Sequence, residues 1–427
     1  MINSIKMKLR LIFLGIVFLL FGGMEIKAQF VVNGDFRTRF YYDTFSGGIQ
    51  DRQDLSYVRY LGRINIRSNV GNNVTFYSEL MTFTDNPLSV TRNIAGTEEM
   101  YYGISQLFAE AVFPNVPVFD QFRMRVGRQQ FPIGRGLSQG SSTSYVRLFD
   151  AVRFDMTKYD VNLSLFGSVT RQNLSPSGLF PDSGGDRLYI ARLSRTVLNQ
   201  DLMSYFIMNQ LDGKFNDSYI IGAGIRGNIL SDELEYFGEY AHQTFNTVPG
   251  MPKMGGHGYM AGIGYRWPMG PFRWVKIETR YAAYQGNDES TDRIERFSPL
   301  YPSFFWGDRA GFVNGVVGGN FPFEGDNLEG SRIWYNRIYF VPNALPRLRV
   351  QFQYIYVTEY IDNDNYNSYN NEFSARLYYA ITRNSRIQFR YVLREPNEKD
   401  FNPNLPESST RDRFSIHRYM FEWHIRF

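Results

Sequence analysis

The sequence predicts an all-β fold: a transmembrane antiparallel β-barrel of sixteen to eighteen strands, eighteen by direct segmentation. Three observations carry this. Apolar and polar side chains alternate residue by residue in segment after segment, the mark of strands with two unlike faces. Beyond Gln29 no apolar run approaches the ~18 residues of a spanning helix, so a helical membrane protein is excluded while a barrel is not. The breaks between segments alternate between short turns and mostly longer polar loops, the layout of a barrel whose turns share one side of the membrane.

The elements follow in order. Phe30–Asp43 sets Phe36, Phe40 and Tyr42 against Asp35, Arg37, Arg39 and Tyr41. Leu55–Val70 sets Val58, Tyr60, Ile64 and Ile66 against Arg59, Arg63, Asn65 and Arg67. Gly71-Asn72-Asn73 has turn chemistry and leads into Val74–Thr84, which carries Glu79. Tyr101–Phe113 carries Glu110, and Asp120–Gln130 alternates Phe122, Met124 and Val126 with Gln121, Arg123 and Arg125. Tyr145–Met156 and Lys158–Val169 are split at Thr157, the first bearing Asp155. Asp186–Val197 and Asp201–Leu211 flank Leu198-Asn199-Gln200, while Asp217–Ile229 and Glu233–Asn246, with Glu239, flank Leu230-Ser231-Asp232.

Gly255–Trp267 and Pro271–Gly286 are joined through Pro268-Met269-Gly270, and the second presents Lys276, Glu278 and Arg280 on one face. Gly330–Pro342 and Pro346–Ile361 flank Asn343-Ala344-Leu345, the latter with Arg347, Arg349, Gln351 and Gln353 in a row. Tyr366–Thr382, with Glu372, and Ser385–Pro396, with Arg386, Gln388, Arg390 and Arg394, meet at Arg383-Asn384. Asp412–Phe427 closes the chain, with Tyr419, Phe421, Trp423, Ile425 and Phe427 opposing Arg418, Glu422, His424 and Arg426. Longer loops occupy Thr44–Asp54, Asp85–Met100, Phe131–Ser144, Thr170–Gly185, Asn287–Glu329 and Asn397–Arg411.

Composition agrees. Aromatic residues make up 17%, with 30 Tyr and 37 Phe, and cysteine is absent, so no disulfide framework holds an exported chain together. Lys6, Lys8 and Arg10 precede the apolar Leu11–Phe21 and then Lys27-Ala28, which reads as a signal peptide over residues 1–28. Residues 29–427 then form a single barrel domain, without room for a second. The formal charge of +4 falls to about +1 once that segment is removed, so net charge identifies no partner and nucleic acid is not among the expected ones. The terminal aromatic row ending in Phe427 resembles the signal read by the barrel-assembly machinery of bacterial outer membranes. Its even strand count places both chain ends in the periplasm.

A charge facing lipid costs about 2–4 kcal/mol at the midplane, so the charged rows must face the lumen. Barrels of this size enclose an aqueous channel. The candidate substrate-binding residues of that lumen are Arg37, Arg39, Arg59, Arg63, Arg67, Arg123, Arg125, Arg128, Arg153, Lys276, Arg280, Arg349, Arg376, Arg390 and Arg418. Acids are scattered among them at Asp35, Glu79, Glu110, Asp155, Glu239, Glu278 and Glu372. Two readings stand: Arg and acid pair to brace the wall, or Arg forms a positive path for an anionic saccharide or small anionic solute. The aromatic-rich loop Asn287–Glu329 is expected to pack into the barrel mouth or over its outer rim. The four His show no nucleophile or metal spacing, and no phosphate-binding loop or paired-carboxylate motif is present. No enzyme, metal or cofactor is therefore expected.

Four segments carry a family resemblance: Leu61-Gly62-Arg63, Val126-Gly127-Arg128-Gln129, Arg147-Leu148-Phe149-Asp150-Ala151-Val152-Arg153, and Phe297-Ser298-Pro299-Leu300-Tyr301-Pro302 with Gly307-Asp308. In this order they resemble the alginate-export family of outer-membrane porins, across most of the mature length. The chain departs from the pattern at Ala151, where the family favours Gly, and in having no Trp before Arg147. The resemblance implies a monomeric barrel in outer-membrane lipid, with an electropositive lumen for an anionic polysaccharide. Lys27-Ala28-Gln29 resembles signal-peptide endings of Bacteroidota, a Gram-negative group. A general or other substrate-specific diffusion porin, or a structural barrel without selectivity, is the alternative. A passive channel carries no motif for export or uptake.

Overall fold

The computed structural model describes residues 28–46, 55–84, 88–89, 100–133, 137, 149–170, 186–210, 217–230, 233–245, 254–286, 294–295, 297, 331–359, 370–396 and 415–427. The first half of the chain contributes β1 (Ala28–Ser46), β2 (Leu55–Val70), β3 (Val74–Thr84), β4 (Leu88–Ser89), β5 (Met100–Val116), β6 (Phe119–Gln129), β7 (Phe149–Lys158), β8 (Val161–Thr170), β9 (Asp186–Val197) and β10 (Gln200–Gln210). The second half contributes β11 (Ser218–Ile229), β12 (Leu234–Phe245), β13 (Met254–Met269), β14 (Phe272–Tyr284), β15 (Ile294–Glu295), β16 (Ser331–Pro342), β17 (Leu348–Glu359), β18 (Asn370–Ala380), β19 (Ser385–Pro396) and β20 (Ser415–Arg426).

Each long strand pairs antiparallel with the long strands before and after it, and β1 pairs with both β2 and β20, so the sheet closes on itself. The two-residue β4 and β15 are additions against β2 and β13, which leaves a closed barrel of eighteen strands. At the seam Gly34 N donates to Phe427 O at 2.8 Å and Phe427 N donates to Gly34 O at 3.0 Å. Closure matters because in lipid every backbone polar group needs an internal partner.

Burial is inverted relative to a soluble protein. Phe36, Phe40, Tyr42, Phe421 and Trp423 are exposed on the outer surface, whereas Arg418, Glu422 and His424 are buried on the inner one. The alternation seen in the sequence thus marks a lipid-facing and a lumen-facing side.

The short turns described, such as 71–73, 159–160, 198–199 and 381–384, all lie at one end of the barrel. Two turns differ from the sequence reading. β7 runs through Thr157, and the chain turns instead at Tyr159-Asp160, both left-handed (φ 45° and 65°), where Asp120 accepts from Tyr159 N at 3.0 Å. A two-residue left-handed pair matches the strand twist, so the hairpin tightens there. β5 likewise continues to Val116, past the expected end at Phe113. Residues 1–27 of the expected signal peptide 1–28, the expected strand starts at Tyr145–Leu148, Tyr366–Tyr369 and Asp412–Phe414, and most of Asn287–Glu329 lie outside the described residues.

The loop-end half of the lumen is partly filled. After β6 the chain turns inward, and Phe131, Ile133 and Leu137 are almost wholly buried against the inner face with Phe149, Phe166, Leu188 and Ile190. Phe297, from the long loop, is fully buried against Tyr284, with ring centroids 6.1 Å apart. It fits because the inner row of β13 offers Gly258 there; a Cβ at that position would lie 2.8 Å from the Phe297 ring. Packing of this residue into the barrel is one of the two outcomes expected for the loop. The sequence predicts a polar loop over Phe131–Ser144, whereas Phe131, Ile133 and Leu137 are buried against the inner wall.

Candidate functional site

Register decides which side chains share the lumen, because directly opposed residues lie on one face of the sheet. From Asp35 opposite Arg63, inward parity propagates round the barrel to Glu110 opposite Arg125, Arg280 opposite Tyr335, and Arg390 opposite Arg376. Arg37, Arg39, Arg63, Arg67, Arg123, Arg125, Arg153, Lys276, Arg280, Arg349, Arg376, Arg390 and Arg418 all fall on this face. Arg59 is opposite Arg39 and shares it by register; its side chain lies outside the described residues.

Arg128 does not face the lumen. It is opposite Leu107 and Asp150 on the outer face, bonds Asp150 at 3.0 Å, and donates to the Ile104 carbonyl at 3.1 Å. The alternation runs unbroken through Gly127, so a residue an odd number of positions from Arg125 must point outward. At the loop end of β6 an outward ion pair avoids the apolar midplane, where its cost is greatest.

Three clusters build the inner wall. At the seam, Arg39 binds Glu422 at 2.6 Å, Arg63 and Arg37 approach Asp35 at 3.1 and 3.4 Å, and Arg418 grips Asp43 at 2.7 and 2.6 Å. Beside the inward segment, Arg125 binds Glu110 at 2.5 Å and Arg153 binds Asp155 at 2.8 Å. There Ser164 also donates to Asp155 at 2.6 Å. The guanidinium carbons of Arg153 and Arg192 lie 4.7 and 5.4 Å from the centroid of the Phe131 ring, which also stacks on Phe166 at 4.8 Å. Cation–π attraction to both guanidinium groups holds that ring in place.

The third cluster runs along β14 to β19. Lys276 binds Glu235 at 2.5 Å, Glu278 holds Arg280 and Arg337, and Arg390 is 3.6 Å from Glu372. Arg376 donates to the Tyr378 hydroxyl at 2.9 Å. Arg349 lies 5.6 Å from the Trp274 ring centroid and 6.0 Å from that of Tyr339.

Bracing by ion pairs is therefore real for most of the expected cations. Arg67, Arg123 and Arg349, and Arg192 with them, are among the lumen cations that have no carboxylate within 4.0 Å among the described residues. Arg67 bonds only the Asn69 amide oxygen, at 3.2 Å, and Arg349 is exposed at the turn end of the lumen. Arg192, Arg337 and Phe131 were not singled out in the sequence. The period-two rows Ile190, Arg192, Ser194 and Tyr335, Arg337, Tyr339 could have shown the two cations, and the apolar pair Phe131 and Ile133 could have shown the inward segment.

No protein-family model matches the chain, and no curated protein matches it in sequence. Solved structures do. OccK5 (OpdH) of Pseudomonas aeruginosa is 14% identical, with a TM-score of 0.55 over 93% of this chain and 98% of that one. Pseudomonas aeruginosa OpdK, solved with vanillate, is 10% identical, with a TM-score of 0.56 over 93% and 99%. Acinetobacter baumannii OccAB1 is 12% identical, with a TM-score of 0.56 over 93% and 97%. These neighbours are outer-membrane porins, and they lend no support to the narrower likeness to the alginate-export family. At such identities the match speaks to architecture: the chain has the eighteen-stranded barrel fold of outer-membrane porins.

Proposed function

We propose that this chain is an outer-membrane diffusion channel selective for small anionic solutes, carboxylates foremost. The observation that carries the reading is Arg349, an exposed lumen guanidinium that lies over Trp274 and Tyr339 with no carboxylate within ion-pair distance among the described residues. A guanidinium fork left open to the pore can receive a carboxylate through two parallel hydrogen bonds. Arg67, Arg123 and Arg192 extend the same property round the wall. The vanillate bound to the OpdK barrel is an aromatic carboxylate and agrees with this chemistry. The inward segment at Phe131 narrows the loop end, which favours small solutes over a polymer such as alginate.

Planar-bilayer recording of the purified barrel tests the proposal. Under a salt gradient the reversal potential is expected on the anion side and is expected to collapse as ionic strength rises, since the screening length is about 10 Å at 0.1 M. Arg67, Arg123, Arg192 and Arg349 replaced together by Gln should abolish the preference while the fold is kept. Vanillate should block the wild-type current more strongly than an acidic oligosaccharide. An unchanged reversal potential in the quadruple variant would leave the Arg rows as bracing only.

A further inference from the structure

The chain has four His, and two of them meet across a strand pair: His242 of β12 lies directly opposite His257 of β13. Both side chains belong to the outer face, because Ala241 and Gln243 on one side and Gly256 and Gly258 on the other form the inward row. The spacing of these two residues along the chain has no metal signature; the register alone brings them together.

The kind of pair is also defined. His257 N donates to the Gln285 side-chain oxygen at 3.0 Å, and Gln285 N donates to His257 O at 3.0 Å. Both polar groups of the His257 backbone are thus turned toward the β14 side, away from β12. In an antiparallel ladder this makes His242–His257 a non-hydrogen-bonded pair, the type in which opposed Cα atoms are only about 4.5 Å apart and the side chains lie closer. Two imidazoles so placed can converge on one ion.

Depth supports the same reading. One pair deeper into the barrel wall, Tyr240 lies opposite Tyr259, and the ring row continues through Tyr281 and Trp334 at 5.8 and 4.4 Å. Such an aromatic girdle marks the membrane–water interface. The His pair lies on the loop side of the girdle, where water and ions reach it. The His257 ring lies against this girdle, 6.2 and 6.5 Å from the Tyr240 and Tyr259 rings and within 25° and 22° of their planes.

We propose that His242 and His257 form a surface site for a divalent transition ion of the zinc, copper or nickel class, which imidazole nitrogen favours. Among the described residues no third His, Cys, Asp or Glu joins them.

The test uses the full-length mature barrel in detergent, without an affinity tag. Titration with copper(II) followed by electron paramagnetic resonance should show one ion per barrel with nitrogen coupling from two imidazoles. His242→Ala and His257→Ala should each weaken binding at least about tenfold, as loss of one of two ligands requires, while His417→Ala leaves it unchanged. Heat-modifiable gel mobility verifies that every variant is folded. Full affinity in a folded His242→Ala or His257→Ala variant, or no binding at millimolar copper, zinc and nickel, would overturn the site.

Discussion

Arg418 of the last strand grips Asp43 of the first through two hydrogen bonds, Nε at 2.7 Å and Nη2 at 2.6 Å, with both side chains almost fully buried. Together with Arg39–Glu422 it ties the ends of the sheet where closure is made. Removing one partner of such a pair leaves a buried charge without its counterion, a loss of about 3–5 kcal/mol in a dry interior and less where lumen water reaches. Arg418→Ala is expected to lower the temperature at which the folded gel band is lost. Replacing both residues by neutral isosteres, Asp43→Asn with Arg418→Gln, should recover part of it. Equal melting of wild type and Arg418→Ala would remove the seam from the list of stabilising features.

Phe427 makes the last backbone bonds of the barrel, to Gly34, and its ring packs over that glycine. Phe427→Ala should reduce insertion without altering the lumen, with unfolded chain accumulating or being degraded. The measurement is the ratio of heat-modifiable to unfolded protein in membrane fractions. A wild-type ratio would show that the terminal ring is not part of the assembly signal.

Phe131→Ala should open the loop end of the channel. The ring contributes packing on Phe166 and two cation–π contacts, and loss of a buried Phe typically removes about 3–5 kcal/mol. Single-channel conductance is expected to rise, with noisier current as the inward segment loosens. Unchanged conductance would place the constriction elsewhere.

The short turns are expected in the periplasm and the long loops outside. Tags within Asn287–Glu329 or Asn397–Arg411 should be reached on intact cells unless the lumen occludes them. Tags at Asn72 or Asn384 should be reached only after the outer membrane is permeabilised. Labelling of Asn384 on intact cells would reverse the orientation.

Much of this architecture is local and was therefore legible. A period of two is written into each strand by its own residues, so Leu55–Val70, Val74–Thr84, Asp186–Val197 and Ser385–Pro396 were read with the bounds the structure has. The same alternation assigned Arg39, Arg63, Arg125 and Arg390 to the lumen. Arg128, an odd number of positions from Arg125, lies on the outer face by that same alternation, so its place among the expected lumen residues runs against the period of its own strand.

What the chain by itself could not determine is who meets whom across the sheet. Whether a lumen Arg is braced or open depends on the strand opposite and its register. Glu422 lies hundreds of positions from Arg39, yet ring closure makes them partners, while Arg349 meets the rings of Trp274 and Tyr339 and, among the described residues, no carboxylate. The inward course of Phe131 required the inner faces of β7, β8 and β9 to be in place before its burial could be favourable. His242 and His257 became a pair for the same reason. Side-chain periodicity is a property of one strand, and a site is a property of several.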